Sequence, residues 1–278
     1  MPTFESQSPI TMTVDIALGA VRVAASDRAD TIVEVRPTNE HRAVDVKDAG
    51  DTSVEFADGV LVVTSPKRFS LFGKGGSVEV TLSVPTSSAL TMTAAIGQLR
   101  TTGGLGECTV KLAMGDVRCE DTGALRVNSG MGDVSVERVA GNATVTTGSG
   151  AVRLGEVDGT AIVKNSNGAT WLGVVTGETR VNAANGDIAV DEAGGSVDAR
   201  SACGDIRVLG VTRGRVSLQT AAGTVDVGIR QGTAAWLDVS SRVGQVTSAL
   251  DAANDPGAST HTVEVHARAL GDIAVHRS

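Results

Sequence analysis

Gly186-Asp-Ile-Ala-Val-Asp-Glu-Ala-Gly-Gly195-Ser-Val-Asp-Ala-Arg-Ser-Ala-Cys-Gly204-Asp-Ile-Arg-Val208 carries the pattern that decides this fold. Apolar or small residues stand two and four places after each glycine at 186, 195 and 204: Ile188 and Val190, Val197 and Ala199, Ile206 and Val208. A period of two inside a period of nine describes short strands, each with one inward face, separated by tight glycine turns. Working outward, the same beat runs from Gly97 to Gly232, and thirteen of its fifteen steps are nine residues long, with one of eight and one of ten. Alternate nine-residue units differ in how they begin and end. One set of nine-residue units reads Gly115-Asp-Val, Gly132-Asp-Val, Gly186-Asp-Ile and Gly204-Asp-Ile and ends in an apolar residue; the other set is followed by small polar turns such as Asn165-Ser-Asn-Gly168 and Ser201-Ala-Cys-Gly204. Two nine-residue units therefore make one rung of 18 residues.

The expected fold is all-β, a single-stranded parallel β-solenoid (β-helix) with 18-residue rungs and irregular β caps. Residues 1–95 form an irregular β amino-terminal cap, 96–232 the regular solenoid and 233–278 a carboxy-terminal β cap, within one continuous domain. In the first segment Gly19-Ala-Val-Arg-Val23, Thr31 to Pro37, Gly59-Val-Leu-Val-Val63 and Gly76-Ser-Val-Glu-Val80 are strands, separated by a polar stretch from Thr38 to Ser53 and a loop from Pro66 to Gly76. In the last, Trp236 to Val239 and Val243 to Val246 are strands, and His261 to His266 with Gly271 to Val275 close the stack. Trp236 is expected to seal the end of the core. No segment shows a long helical period.

Composition narrows the function. The net charge of −8 and pI near 5.0 argue against nucleic acid or an acidic membrane as partner. Aromatic residues are 2% of the chain and tyrosine is absent, so the core is thin and aliphatic. No run approaches the roughly 20 apolar residues of a transmembrane segment. The start, Met1-Pro-Thr-Phe-Glu-Ser-Gln-Ser, has neither a basic region nor an apolar h-region, which makes the expected location cytoplasmic. Cys108, Cys119 and Cys203 lack metal-ligand spacing and are read as reduced thiols. The aspartate after each turn glycine suits a carboxylate accepting backbone N–H groups better than a calcium site, because the column is broken by Ala151 and Ala169. No metal and no cofactor are expected.

Side chains three places after a glycine point outward, and residues 18 apart stack. One outer face carries Arg118, Ser135, Arg153, Trp171, Ala189 and Arg207; the other carries Arg126, Thr144, Ile162, Arg180 and Asp198. Arg153, Trp171, Arg207 and Arg118 are the candidate face for a ligand or partner, since an exposed Trp beside Arg serves as a stacking platform or as the centre of a protein contact. Burial of Trp171 under the amino-terminal segment or a second copy is the plain alternative. A second candidate is the loop holding Lys67, Arg68, Phe69, Phe72 and Lys74, either a docking loop or a plug over the first rung. The four histidines lie outside the regular stack without a nucleophile setting, and the short turns build no cleft.

Met1-Pro-Thr-Phe4, Val21-Arg-Val-Ala-Ala-Ser-Asp-Arg-Ala-Asp-Thr-Ile-Val-Glu-Val-Arg-Pro37, the Gly-Asp-Val repeats and Asn165-Ser-Asn-Gly-Ala-Thr-Trp-Leu-Gly173 resemble an actinobacterial β-strand-repeat family of unknown function labelled "putative adhesin". The resemblance implies a solenoid fold and carries over no catalytic residue. The expected function is a non-enzymatic scaffold or protein-interaction module, adhesin-like, whose partner is another protein or a further copy of itself. The alternatives are a ligand- or glycan-binding protein using the Trp/Arg face, and a self-assembling filament.

Overall fold

The computed structural model describes residues 2–6, 8–67, 75–250 and 261–278. The chain divides into two compact units, Met1–Ala140 and Gly141–Ser278. Each is a stack of mostly parallel strands wound as a β-solenoid.

The first unit contains β1 (Thr3–Glu5), β2 (Thr11–Ser26), β3 (Asp30–Pro37), α1 (Ala43–Gly50), β4 (Ser53–Ala57), β5 (Val60–Thr64), β6 (Val78–Pro85), β7 (Ala89–Gly104), β8 (Cys108–Met114), β9 (Val117–Thr122), β10 (Leu125–Met131) and β11 (Val134–Val139). Strands β2 and β7 each run unbroken past a corner glycine, and they pair in parallel from Thr11↔Ala89 to Ala24↔Thr102. On the other side of β2 lie β5 and β6, also parallel. Beyond them the direction reverses: β4 on β5, β3 on β6 and β1 on β3 are antiparallel. Antiparallel edge strands blunt a row of N–H and C=O groups that a further parallel rung would otherwise extend. Phe4 of β1 stacks on Phe56 of β4, with ring centroids 4.9 Å apart.

Helix α1 was not foreseen, because its buried positions are aspartates. Asp45 and Asp48 are both buried, so the helical period is present but not in apolar residues. Asp48 Oδ2 accepts the Gly76 N–H at 2.8 Å and Asp45 Oδ1 accepts that of Ser77 at 3.0 Å, which moors the entry to β6.

The second unit contains β12 (Ala143–Ser149), β13 (Val152–Val157), β14 (Ala161–Asn167), β15 (Thr170–Val175), β16 (Thr179–Asn185), β17 (Ile188–Ala193), β18 (Val197–Cys203), β19 (Ile206–Val211), β20 (Gly214–Ala222), β21 (Val225–Ile229), β22 (Thr233–Ser241), β23 (Val246–Ser248), β24 (His261–Ala269) and β25 (Ile273–Arg277). Its pairs are parallel, and the 18-residue rung appears directly as Leu154↔Leu172, Leu172↔Val190 and Val190↔Val208. That inward column continues through Val227 to Val275, and all six side chains are buried. Burying each such aliphatic side chain contributes about 1.5–3 kcal/mol. The ten-residue step before Gly214 appears as Val197↔Val216, an offset of 19, with an irregularity in register between Val208 and Val211.

The polar turns have a structural task. Asn165 Nδ2 donates to the carbonyls of Gly150 (3.0 Å) and Gly168 (2.9 Å), and Thr220 Oγ1 donates to that of Gly204 at 2.8 Å. These inward groups thus satisfy corner carbonyls that the ladder leaves open.

The end of this unit differs from expectation. Strands β24 and β25 do not close the stack. They lie between β20 and β22 and between β21 and β23, so the rung of β22 and β23 is outermost. Trp236 does not seal the core either: it points outward and is 57% exposed, whereas Leu237 and Val239 face inward. The alternation of β22 decides this, since a tryptophan one place from an inward leucine must take the opposite face.

Candidate functional site

The outer face of the second unit is built as the register requires. Arg153 pairs with Trp171, Trp171 with Ala189 and Ala189 with Arg207 on successive strands β13, β15, β17 and β19. Thr170 and Leu172 point inward on either side of Trp171, which is 37% exposed. Its ring lies along its own strand: a Cβ added at Gly173 would stand 3.2 Å from Trp171 Cη2, and the Gly155 carbonyl lies beneath that same glycine. The edge of the indole thus reaches over Gly173, which packs on Gly155 one rung away, and the side chain stays partly open to solvent. Among the described residues Trp171 makes no aromatic or cation–π contact, and Arg153 has no ion pair. Arg207 is bound instead to Asp226 at 3.3 Å, and Ala189 separates it from the tryptophan. The face thus brings Arg153 and Trp171 together and sets Arg207 apart.

Arg118 belongs to the first unit, where its neighbours are Arg100 on β7 and Ser135 on β11. Arg22 of β2 pairs in turn with Arg100. Both were missed, although each stands three places after a glycine, Gly19 and Gly97. The signal was there. Arg100 stands 18 residues before Arg118, within the rung register; only Arg22 was hidden, by the 78-residue offset between β2 and β7.

In the second candidate, Lys67 Nζ forms an ion pair with Asp15 Oδ2 at 2.7 Å. Arg68, Phe69, Phe72 and Lys74 lie outside the described residues.

The turn aspartates do what tight-turn chemistry predicts. Asp116 Oδ1 accepts the Asp133 N–H (3.0 Å), Asp187 Oδ1 that of Asp205 (2.9 Å) and Asp205 Oδ1 that of Thr224 (2.7 Å). Each carboxylate ties its corner to the next rung, and no cluster of metal-ligating side chains occurs among the described residues. Asp205→Ala will lower stability by about 1 kcal/mol and Asp205→Asn by less, since an amide oxygen still accepts. A chelator will leave the melting temperature unchanged. A fall on chelation, reversed by calcium, would refute the turn assignment.

A titratable cluster lies on β20, β22 and β24. His266 Nδ1 meets Asp238 Oδ2 at 3.1 Å, and its Nε2 meets Glu264 Oε1 at 3.0 Å. Arg215 on one side and His266 on the other hold the Glu264 carboxyl below its usual range. Ser217 is in register with His266, which assembles the residue types of a hydrolytic triad. The chemistry does not follow. Nε2, the nitrogen that would take the serine proton, is engaged by Glu264, and Trp236 packs edge-on against the ring at 5.4 Å.

A groove of about 360 Å³ in the second unit is lined by Val174, Glu192, Gly194, Arg213 and Arg230 among others. Its cations are spoken for, since Arg230 pairs with Glu192 and Arg213 Nε donates to the Gly194 carbonyl at 2.7 Å. Cys108 and Cys119 are buried free thiols, and the neighbouring Cys119 together with burial pushes the Cys108 thiol up. Cys203 is exposed.

A parallel stack of this kind, with side chains free on its outer faces, defines a β-solenoid repeat protein. The family model described as Toastrack DUF4097 matches residues 11–278, and the chain belongs to that family. No curated protein matches it. Among solved structures it is similar to a "putative adhesin" of Bacteroides fragilis (10% identity, 99% of this chain and 95% of that one, TM-score 0.30). Others are a "putative adhesin" of Parabacteroides merdae (11%, 81% and 94%, TM-score 0.42) and a "putative lipid binding protein" of Parabacteroides distasonis (10%, 100% and 95%, TM-score 0.37). Likenesses this distant carry no argument about function.

Proposed function

We propose that the protein is a non-enzymatic interaction module that meets a protein partner, or a second copy of itself, through the face centred on Trp171. The observation that carries this is the exposed indole reaching over Gly173, in register with an Arg153 that has no ion pair among the described residues. Indole and guanidinium groups supply much contact area for few ordered torsions, which is why they dominate the energetic centres of interfaces. Engagement of both His266 nitrogens by carboxylates supports the non-enzymatic part. A cytoplasmic site of action belongs to the same proposal and is supported by buried thiols left unbridged.

Light scattering across concentration tests self-association, and affinity purification followed by quantified recovery tests a partner. Trp171→Ala will weaken the contact about tenfold or more, whereas Arg180→Ser on the opposite face will leave it intact. Equal retention by both variants would exclude this face. A second reading, a glycan stacked on Trp171, is favoured by the same exposed ring. In a Trp236→Phe background, titration with neutral oligosaccharides shifts the remaining tryptophan emission only if that reading holds.

A further inference from the structure

Arg22, Arg100 and Arg118 occupy one outward column on β2, β7 and β9, three neighbouring strands of the first unit. Adjacent strands lie about 4.8 Å apart, and like charges directly opposite each other on a ladder repel. Such a column stands where counter-charge is supplied. At its two ends the counter-charge is present: Glu79 pairs with Arg22, and Asp116 Oδ2 lies 3.7 Å from Arg118. Arg100, in the middle, has no ion pair or side-chain hydrogen bond among the described residues and is exposed.

A recess of about 120 Å³ opens over this column, lined by Ala20, Arg22, Gln98, Arg100, Asp116 and Arg118. Ala20 stands opposite Gln98, and its short side chain leaves the space. Asp116 turns its Oδ1 to the Asp133 N–H, so that oxygen is already engaged. Thr81 follows Arg22 and Ser135 follows Arg118 in register, so the column ends in neutral hydroxyl groups on both sides.

We propose that this recess binds a tetrahedral dianion, the phosphate group of a ligand, with Arg100 at its centre and Arg22 and Arg118 on either side. A guanidinium presents paired N–H donors in a rigid fork, the geometry that matches phosphate oxygens. The fork of Arg100, unpaired among the described residues, takes the phosphate oxygens directly, while Arg22 and Arg118, each shared with a carboxylate in the free protein, flank it and add positive charge. The volume holds one phosphate group, and the rest of any ligand extends over the open surface. The site is independent of the Trp171 face, since it lies in the other unit.

Calorimetric titration in a low-salt buffer free of phosphate and sulfate tests it, with inorganic phosphate and glucose 6-phosphate as probes. Saturable one-to-one binding is expected, weakened about tenfold or more in Arg100→Gln and in Arg118→Gln. Arg126→Gln, an exposed arginine on the opposite face of this unit, will bind as the unaltered protein does. Tighter binding of the ester points to a phosphorylated ligand and equal binding to free phosphate; either supports the site. Absence of saturable heat with both probes overturns the proposal. So does an equal loss in Arg126→Gln, which would mean that general charge alone attracts the anion. Melting curves without phosphate confirm that Arg100→Gln is folded, and such a variant that binds phosphate undiminished also overturns it.

Discussion

Val190→Asp will unfold the second unit. Val190 is fully buried and stands between Leu172 and Val208 in the inward column of β15, β17 and β19. The substitution loses roughly 1.5–3 kcal/mol of aliphatic burial. It also places a carboxylate among aliphatic side chains with no cation in reach, at a further cost of several kcal/mol. Together these approach the whole stability of a domain, roughly 5–15 kcal/mol. Circular dichroism will show the cooperative transition lost or shifted far down. Arg180→Asp is the comparison on the outer face. It removes the 3.4 Å pair with Glu178 and sets a carboxylate in register with Asp198, at a cost of about 1 kcal/mol. That corresponds to about 2–4 °C in melting temperature. Similar melting curves for the two variants would show the inward and outward sides to be misassigned.

The second large effect is expected at Gly186. Its φ is +138°, a backbone conformation that side chains rarely adopt, and a Cβ there would run into the Gly168 carbonyl one rung away. That rung cannot retreat. The Gly168 N–H donates to Asn185 O at 2.9 Å, and the Gly186 N–H donates to Cys203 O at the same distance. Gly186→Ala therefore meets backbone on a spacing fixed by hydrogen bonds, and will cost on the order of 3 kcal/mol. Gly232→Ala is the comparison with neither a clash nor so extreme a φ: Gly232 has φ +79° and open space around its Cα, and its replacement should cost only about 1–2 kcal/mol. Chemical denaturation of both variants checks the difference. Equal losses would mean that the corner conformation and its close packing together contribute nothing beyond an ordinary positive φ.

Much of this architecture was legible in the chain. The alternation Ile188, Val190 and Ile206, Val208 announces an inward face, and Trp171 between Thr170 and Leu172 had to point out. The helix at 43–50 was not legible, because Asp45 and Asp48 bury carboxylates where a pattern search looks for apolar residues. The placing of Trp171 was legible, but its posture was not. Whether an indole stands up or lies down depends on what lies two residues on and one rung away, here Gly173 and Gly155. The arginine column was legible in part: Arg100 and Arg118 are 18 residues apart, whereas Arg22 and Arg100 are 78 apart and meet only because β2 pairs with β7.

By itself the sequence determined the coil: its rung length, which side chains face in, and where the backbone must turn. Those properties are local, since alternation and a turn glycine act on near neighbours in the chain. Tertiary structure alone decided which strands become neighbours where chain order and spatial order part, as with β2 beside β7 and β24 between β20 and β22. The edge of a parallel strand offers the same N–H and C=O groups whatever its side chains. Hydrogen bonding therefore does not name the partner, and the competition to bury the whole core selects it.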